Sequence, residues 1–313
     1  MENPVWSERY RPKKVADVIL PSDIKDIFQK MVEDKQVPVN LLLSGGAGVG
    51  KTTVAMAMLD ELGYNSMIIN GSLEGNIDTL RNRITNFASA VSFFGGRKYV
   101  LLDEADYLTG ATQAALRNFM EEHSKGCGFI LTCNYRNKII QPLQSRCSLI
   151  DFRIPKSAMA SLAAQFLKRC VGILDQEKVT YDKKVLAEVI KKHFPDWRRI
   201  LNELQTYALK NNVIDEGMLS RNSNKNMSEL ISFMRNKKFS DARKWVAENS
   251  DMDPVEFFEQ LYFTAYDWLT PESVPQLAIL LGEYQYKSSL VVNQEINTGA
   301  FLAHAMSTLT FKE

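Results

Sequence analysis

No stretch of this sequence reaches the apolar length that a membrane-spanning helix needs. The opening segment MENPVWSERYRPKK also lacks the apolar heart of a signal peptide. The expectation is a soluble, cytoplasmic protein with no membrane partner. Cysteine is scarce. Cys127, Cys133, Cys147 and Cys170 lack CxxC spacing and have no histidine pair beside them, so they read as reduced residues in or near a core, not as a metal site. An excess of one charge is missing as well: 38 Lys and Arg stand against 37 Asp and Glu, for a net charge of +1. No global basic field marks a nucleic-acid partner, so any DNA contact has to come from local clusters or from several chains acting together. Internal repeats and low-complexity segments are also absent. Apolar content is not short: 45% of 313 residues is ample for a large core and for two or three domains.

The first half alternates short apolar runs with helical patterns. VNLLLS (39–44), SMIIN (66–70), KYVLLD (98–103) and GFILTC (128–133) read as buried strands, with helices over 51–62, about 77–92 and about 112–122. Alternation of continuous apolar strands with helices predicts an α/β domain whose parallel sheet is covered on both faces. After SLIDFRIP, closed by Pro155, no further strand signal is seen. Helices are expected over 157–174, 182–193 and 196–210, then a polar linker SRNSNKN (220–226), then helices over 226–236, 239–249, 254–269, 272–284 and 293–310. The organisation expected is an α/β domain over 1–154, a small helical domain over 155–222 and an all-α domain over 223–313.

The first of these strands runs into GGAGVGKT, which is Gly45, Gly46, Ala47, Gly48, Val49, Gly50, Lys51 and Thr52, and so into the helix expected over 51–62, where Thr53 follows. Glycines at that spacing let backbone N–H groups curl around phosphate oxygens. Lys51 can then reach the β- and γ-phosphates of ATP, and Thr52 can ligate Mg²⁺. A ligand-free glycine turn would not need the strand before it and the helix after it. YVLLDEAD (99–106) ends a second strand in acids. Asp103 at its tip is placed to hold Mg²⁺ and Glu104 to polarise the attacking water, although such a strand end by itself is often a solvated turn or a helix cap. LTCN (131–134) ends the next strand in Asn134, a neutral amide that can orient water, or a plain turn residue. In PLQSRCSLI (142–150), Arg146 is either an ordinary surface charge or faces a phosphate.

Taken together, WSERYRPKKVADVILP (6–21), GGAGVGKT, DEAD, LTCN, IIQPLQSRC (139–147) and FPDWRRILNELQ (194–205) resemble AAA+ sliding-clamp loader subunits. The likeness is to replication-factor-C small subunits and to the ATPase subunit of T-even-type phage loaders, nearest to the latter, and it covers about residues 5 to 210. The resemblance implies an α/β P-loop NTPase (AAA+) domain, a helical lid and an all-α collar, with ATP and Mg²⁺ as cofactors. It implies an ATPase that loads a sliding clamp onto primer–template DNA, in an oligomer of like chains completed by a different small loader subunit. For a phage-encoded chain the place would be the host cytoplasm. Residue by residue, it makes Lys51 and Thr52 phosphate and Mg²⁺ contacts, Asp103 the metal-coordinating acid and Glu104 the catalytic base. Asn134 becomes the first sensor and Arg198 the second, with Arg199 competing for that role. Arg9, Tyr10, Val18 and Ile19 would pack around adenine. Arg146 falls in the family's serine–arginine–cysteine motif, whose arginine reaches into the next subunit's ATP site. The loop departs from the family in carrying Gly45, Gly46 and Ala47 where prolines are usual, and SLEGN (72–76) replaces charged residues.

Candidate DNA contacts are Arg81, Lys138 and the helix start at Thr109, though Arg81 and Lys138 also read as ordinary exposed charges. By the resemblance, Gln113 would couple DNA contact to the catalytic acid, and Phe119 and Met120 on the same helix would grip the clamp, an aromatic–Met pair being otherwise core. Two other functions stay open: a catalytically silent scaffold subunit, or another AAA+ motor such as a branch-migration helicase or a protein remodeller. The motor would use an aromatic pore loop, for which SFFGGRK (92–98) is the candidate.

Overall fold

The computed structural model describes residues 4–73, 76–90, 97–222, 227–249 and 252–312. Most of SFFGGRK, part of SLEGN and residues 223–226 of the expected linker lie outside the described residues. The chain divides into two compact units, Met1–Leu219 and Ser220–Glu313. No helix among the described residues is long and apolar enough to cross a membrane.

The first unit opens with a helical turn, α1 (Trp6–Arg9), and helix α2 (Ser22–Glu33). There follow β1 (Asn40–Ser44), α3 (Lys51–Glu61), β2 (Asn65–Asn70), α4 (Ile77–Ser89), β3 (Lys98–Asp103) and α5 (Gly110–Glu122). β4 (Cys127–Cys133), the turn α6 (Gln141–Gln144) and β5 (Ser148–Asp151) complete this part. The strands form one parallel sheet in the order β2-β3-β4-β1-β5. Its inner strands are nearly wholly buried, which is why they read as unbroken apolar runs, whereas the edge strands β2 and β5 are partly exposed. Side chains alternate across the sheet. Leu41, Leu43, Leu101 and Ile130 join Phe28, Val54 and Met58 on one face; Leu42, Val100, Leu102 and Leu131 join Ile84 and Leu116 on the other. β1 is followed by a crossing to one edge and β4 by a crossing to the other. The chain therefore departs in opposite directions from two neighbouring strand ends, and that opens a crevice where ligands bind in such sheets.

The first unit continues through α7 (Lys156–Gln176), β6 (Thr180–Tyr181), α8 (Lys183–His193), α9 (Trp197–Asn211) and β7 (Val213–Ile214), and its boundary at Leu219 falls within α10 (Glu216–Asn222). Three of these are the expected helices, to within two residues. The short parallel pair β6–β7, Thr180 to Val213 and Tyr181 to Ile214, was not expected, since two residues carry no periodicity. α10 runs to Asn222, so the expected linker is helical at its start. α2 was not among the expected helices, although its apolar Ile24, Ile27, Phe28 and Met31 stand at helical spacing. Caps decide where helices begin: the Thr109 hydroxyl accepts from Thr112 N–H at 3.2 Å and starts α5 two residues before the expected point.

The second unit, among its described residues, is helical: α11 (Met227–Arg235), α12 (Phe239–Glu248), α13 (Pro254–Phe263), α14 (Ala265–Trp268), α15 (Val274–Ser288) and α16 (Gln294–Thr308). Phe301 centres its core, 5.3 Å from Phe258 and 5.7 Å from Tyr284 between ring centroids. The single helix expected over 254–269 breaks at Thr264. Its hydroxyl donates back to the Gln260 carbonyl at 2.8 Å and accepts from the Trp268 indole N–H at 3.2 Å. Burial pushes the Cys127 thiol up to about 11 and those of Cys147 and Cys170 to about 12, leaving them protonated and inert at neutral pH.

Lys98 is buried at the start of β3, at 6% exposure, with its ammonium at the end of α4. It donates to the carbonyls of Phe87 at 2.7 Å, of Ala88 at 3.4 Å and of Ala90, groups the helix cannot satisfy itself. Lys98→Met, which keeps the stem and removes the donors, is expected to cost about 1–3 kcal/mol of stability. Chemical denaturation checks the loss, and faster hydrogen exchange in the last turn of α4 would locate it.

Candidate nucleotide site

At the crevice, β1 gives way to the glycine loop and the loop to α3. Gly50 closes it at φ 98°, in the left-handed region. Gly48 is also left-handed, at φ 69°, and a Cβ there would lie 1.9 Å from Asp196 Oδ1, so only glycine fits beneath α9. Lys51 follows as the first residue of α3 and is only 7% exposed. Its ammonium donates to the carbonyls of Gly45 and Gly46, both at 2.7 Å, and to Asn134 Oδ1 at 2.9 Å. Burial pushes the Lys51 pKa below its ordinary value, with Asp103 and Asp106 opposing that shift.

Asp103, at the tip of β3, accepts on one oxygen from Thr52 Oγ1 at 2.7 Å and from Thr132 Oγ1 at 2.5 Å. The Thr132 hydroxyl in turn accepts from Glu104 N–H at 3.1 Å. Glu104 turns the chain out of the sheet in the left-handed conformation, φ 58° and ψ 44°, which costs a residue with a side chain about 1 kcal/mol. Glu104 lines the crevice with Asp103 and Asn134. Asp106, 6% exposed, accepts from Asn134 N–H at 3.2 Å and Tyr135 N–H at 3.1 Å, and so fixes how Asn134 leaves β4.

One wall of the crevice comes from the N-terminal segment, where Tyr10, Val18 and Ile19 face Ala47 to Thr53 of the loop and α3. The opposite cover is helical, with Phe166, Arg169, Trp197 and Arg198. Phe166 and Trp197 stack at 4.4 Å between centroids. Arg169 donates to the Tyr10 carbonyl at 2.6 Å and the Asp17 carbonyl at 3.2 Å, tying the helices to the N-terminal wall. Asp196 caps α9 by accepting from Arg199 N–H at 3.0 Å, which leaves Arg198 lining the crevice while Arg199 turns to Glu203 at 3.4 Å. Two expectations need correcting here. Arg9 is not a lining residue, because its guanidinium pairs with Glu177 at 2.6 Å. Gly45 and Gly46 act through their carbonyls on Lys51 and do not line the crevice themselves.

Other expected residues lie elsewhere. Arg146 does not line its own chain's crevice; it sits between α6 and β5 and pairs with Glu121. Phe119 and Met120, expected on a clamp-binding surface, are core residues at 6% and 1% exposure, packed against Leu131 and Leu143. Their helical spacing put them on the inward face of α5, so they cannot grip a partner. Gln113 is 1% exposed and bridges three backbone groups: its amide donates to the carbonyls of Leu108 and Lys138, both at 3.0 Å, and accepts from Ile140 N–H at 2.8 Å. Removing it would loosen the start of α5 as well as any coupling. Thr109, Arg81 and Lys138 are exposed. The Lys138 ammonium lies 4.8 Å from the Tyr135 ring centroid, and the Arg81 guanidinium 5.6 Å from that of Phe119.

Sequence reasoning missed Thr132, Asp106 and Arg169. Thr132 is two residues before Asn134, and Asp106 three after Asp103, so strand and turn periodicity offered a signal for both. Arg169, in the middle of a long helix, offered none.

A buried cation, paired hydroxyl and carboxylate oxygens, a second carboxylate and a neutral amide thus meet at one helix N-terminus. That donor set fits a nucleoside triphosphate with Mg²⁺. Comparison with known proteins agrees. Residues 41–157 match the model of the ATPase family associated with various cellular activities (AAA), and residues 159–220 match that of the sliding-clamp-loader large subunit, AAA+ ATPase lid domain. The chain is 34% identical to the sliding-clamp-loader large subunit of Enterobacteria phage T4, covering 94% of this chain and 92% of that one. It is likewise 34% identical to the replication factor C small subunit of Archaeoglobus fulgidus, over the whole of both chains. The chain therefore belongs to the AAA+ sliding-clamp-loader subunits, with an AAA domain, a lid domain and a helical C-terminal region.

Proposed function

We propose that this chain is the ATP-hydrolysing subunit of an oligomeric loader that opens a sliding DNA-polymerase clamp and places it on primer–template DNA. The observation that carries the proposal is the meeting of Lys51, the Thr52–Asp103 pair, Glu104 and Asn134 in one crevice under Arg198. A silent scaffold subunit would have no use for the full set.

Lys51 exchanges loop carbonyls and Asn134 for phosphate oxygens, in stronger charge-assisted bonds. Thr52 and Asp103 would hold Mg²⁺, which would offset charge on the phosphates. Glu104 takes the proton of the attacking water, and Asn134 orients that water without adding negative charge. Tyr10, Val18 and Ile19 enclose the base, and Arg198 closes from the lid. Thr109, Arg81 and Lys138, all exposed, are the proposed DNA contacts; a nearly neutral chain can bind DNA when several copies add their contacts along one channel. In the second unit Phe263, Ile279, Tyr286, Leu290, Val292 and Ile296 are exposed, apolar content that supports its role as the collar through which copies meet. A different small loader subunit completes the proposed ring, which works in the cytoplasm, the host's if the chain is phage-encoded.

Glu104→Gln keeps the shape of the site and removes the base. ATP binding, read by fluorescent-nucleotide titration, should survive, while turnover falls by roughly 10²–10⁴. Turnover within a few-fold of wild type would exclude Glu104 as the base.

Arg146 is proposed to serve a neighbour's site, because it does not line its own. An arginine facing the transferring phosphoryl group is worth about 10³–10⁵ in rate. Lys51→Ala offers a finger without a pocket, and Arg146→Ala a pocket without a finger. Mixed and shown by sizing to co-assemble, the two should hydrolyse more ATP than the sum of each alone. Mixed assemblies with no regained activity would place the finger in its own chain or outside the chemistry.

A further inference from the structure

We infer that Glu121 is a positioning residue, one that presets the Arg146 guanidinium for a phosphate in the neighbouring copy's site. The inference rests on the proposed action of Arg146 in trans. An exposed ion pair by itself is worth little, and here Arg146 and Glu121 keep 35% and 53% of their side-chain surface in solvent. The geometry goes further than a surface pair. Arg146 Nε donates to Glu121 Oε1 at 2.7 Å, Nη2 donates to the same oxygen, and Nη1 donates to the Pro142 carbonyl at 2.8 Å. All three nitrogens of the guanidinium are thereby held.

Both anchors are themselves fixed. Glu121 follows Phe119 and Met120 on α5, and the burial of those two anchors the end of the helix in the core. The Arg146 backbone is held from two sides: its N–H donates to the Leu143 carbonyl at 3.2 Å, and its carbonyl accepts from Asn40 Nδ2 at 3.2 Å. A long, otherwise flexible arginine is so confined to one arrangement before any neighbour arrives.

Counting donors separates positioning from inhibition. A guanidinium carries five N–H groups, and the three bonds leave one on each terminal nitrogen. Those two are free for phosphate oxygens without surrender of Glu121 or Pro142. A contact that blocked the finger would have to consume them. The carboxylate does bring a negative charge towards a polyphosphate, but its half-exposed position screens that charge in solvent. Ordering the arginine in advance is the gain, since a small misplacement of a charge-stabilising group can cost about 10² in rate.

The test uses the full chain and ATP hydrolysis at saturating Mg²⁺, with Arg146→Ala as the reference. Glu121→Ala is expected to lower kcat by about 10²-fold with KM for ATP changed less than about twofold. Glu121→Gln, whose amide oxygen still accepts from Nε and Nη2, should recover most of that loss. The defect should belong to the finger side alone. Glu121→Ala mixed with Lys51→Ala should regain activity, whereas the double variant Lys51→Ala/Glu121→Ala mixed with Arg146→Ala should not. A general destabilisation of α5 would not sort in this way. Glu121→Ala at wild-type rate beside a crippled Arg146→Ala would overturn the positioning role and leave the finger standing. A Glu121→Ala faster than wild type would show the pair to be an inhibitory latch. A fully active Arg146→Ala would remove the finger, and the positioning role with it.

Discussion

A lysine ammonium buried where two strands end is the constraint on which the N-terminal unit turns. Removing such a charge from water is costly unless it is fully hydrogen-bonded. Lys51 meets that condition with the carbonyls of Gly45 and Gly46 and the amide of Asn134. The bonds fold the glycine loop back on itself and clip the end of β1 to the end of β4, across the point where the sheet's connections part. In the proposed nucleotide site, the stabilisation of this charge also prepares for phosphate, because every acceptor now on Lys51 is one a phosphate oxygen can replace.

The groups proposed to carry the chemistry are held by partners with no proposed part in it. Thr132 steadies both Asp103 and the backbone of Glu104, and Asp106 steadies the backbone of Asn134. Asp196 caps the lid helix and at the same time fills the space that a side chain at Gly48 would need. Arg169 ties that lid to the carbonyls of the N-terminal wall. Movement of the lid helices is therefore coupled to the walls of the crevice through hydrogen bonds, and not only through apolar packing.

Arg146 is the conspicuous absentee from this crevice, and its separate anchoring on α5 and α6 agrees with service to another copy. A site completed by a neighbour, as proposed, would make hydrolysis report on assembly. The exposed apolar side chains of the C-terminal unit and the near-neutral charge of the chain are consistent with the proposed assembly of several copies, whose DNA contacts would sum.

Much of this was legible in the sequence, for a physical reason. Buried parallel strands must be apolar throughout, phosphate loops need glycine and lysine at set spacing, and helix faces repeat every three or four residues; each is local, so each leaves a mark on the string. The sheet, the lid helices, Lys51, Asp103 and the family were all visible on that basis. Only the tertiary structure decided which face of α5 is inward, making Phe119 and Met120 core; that Arg9 pairs with Glu177 and leaves the crevice; and that Arg198 and not Arg199 lines it. It alone brought Glu121 to Arg146, 25 residues apart in sequence. Those outcomes depend on partners distant along the chain, and a pairing between distant residues leaves no period or spacing in one sequence.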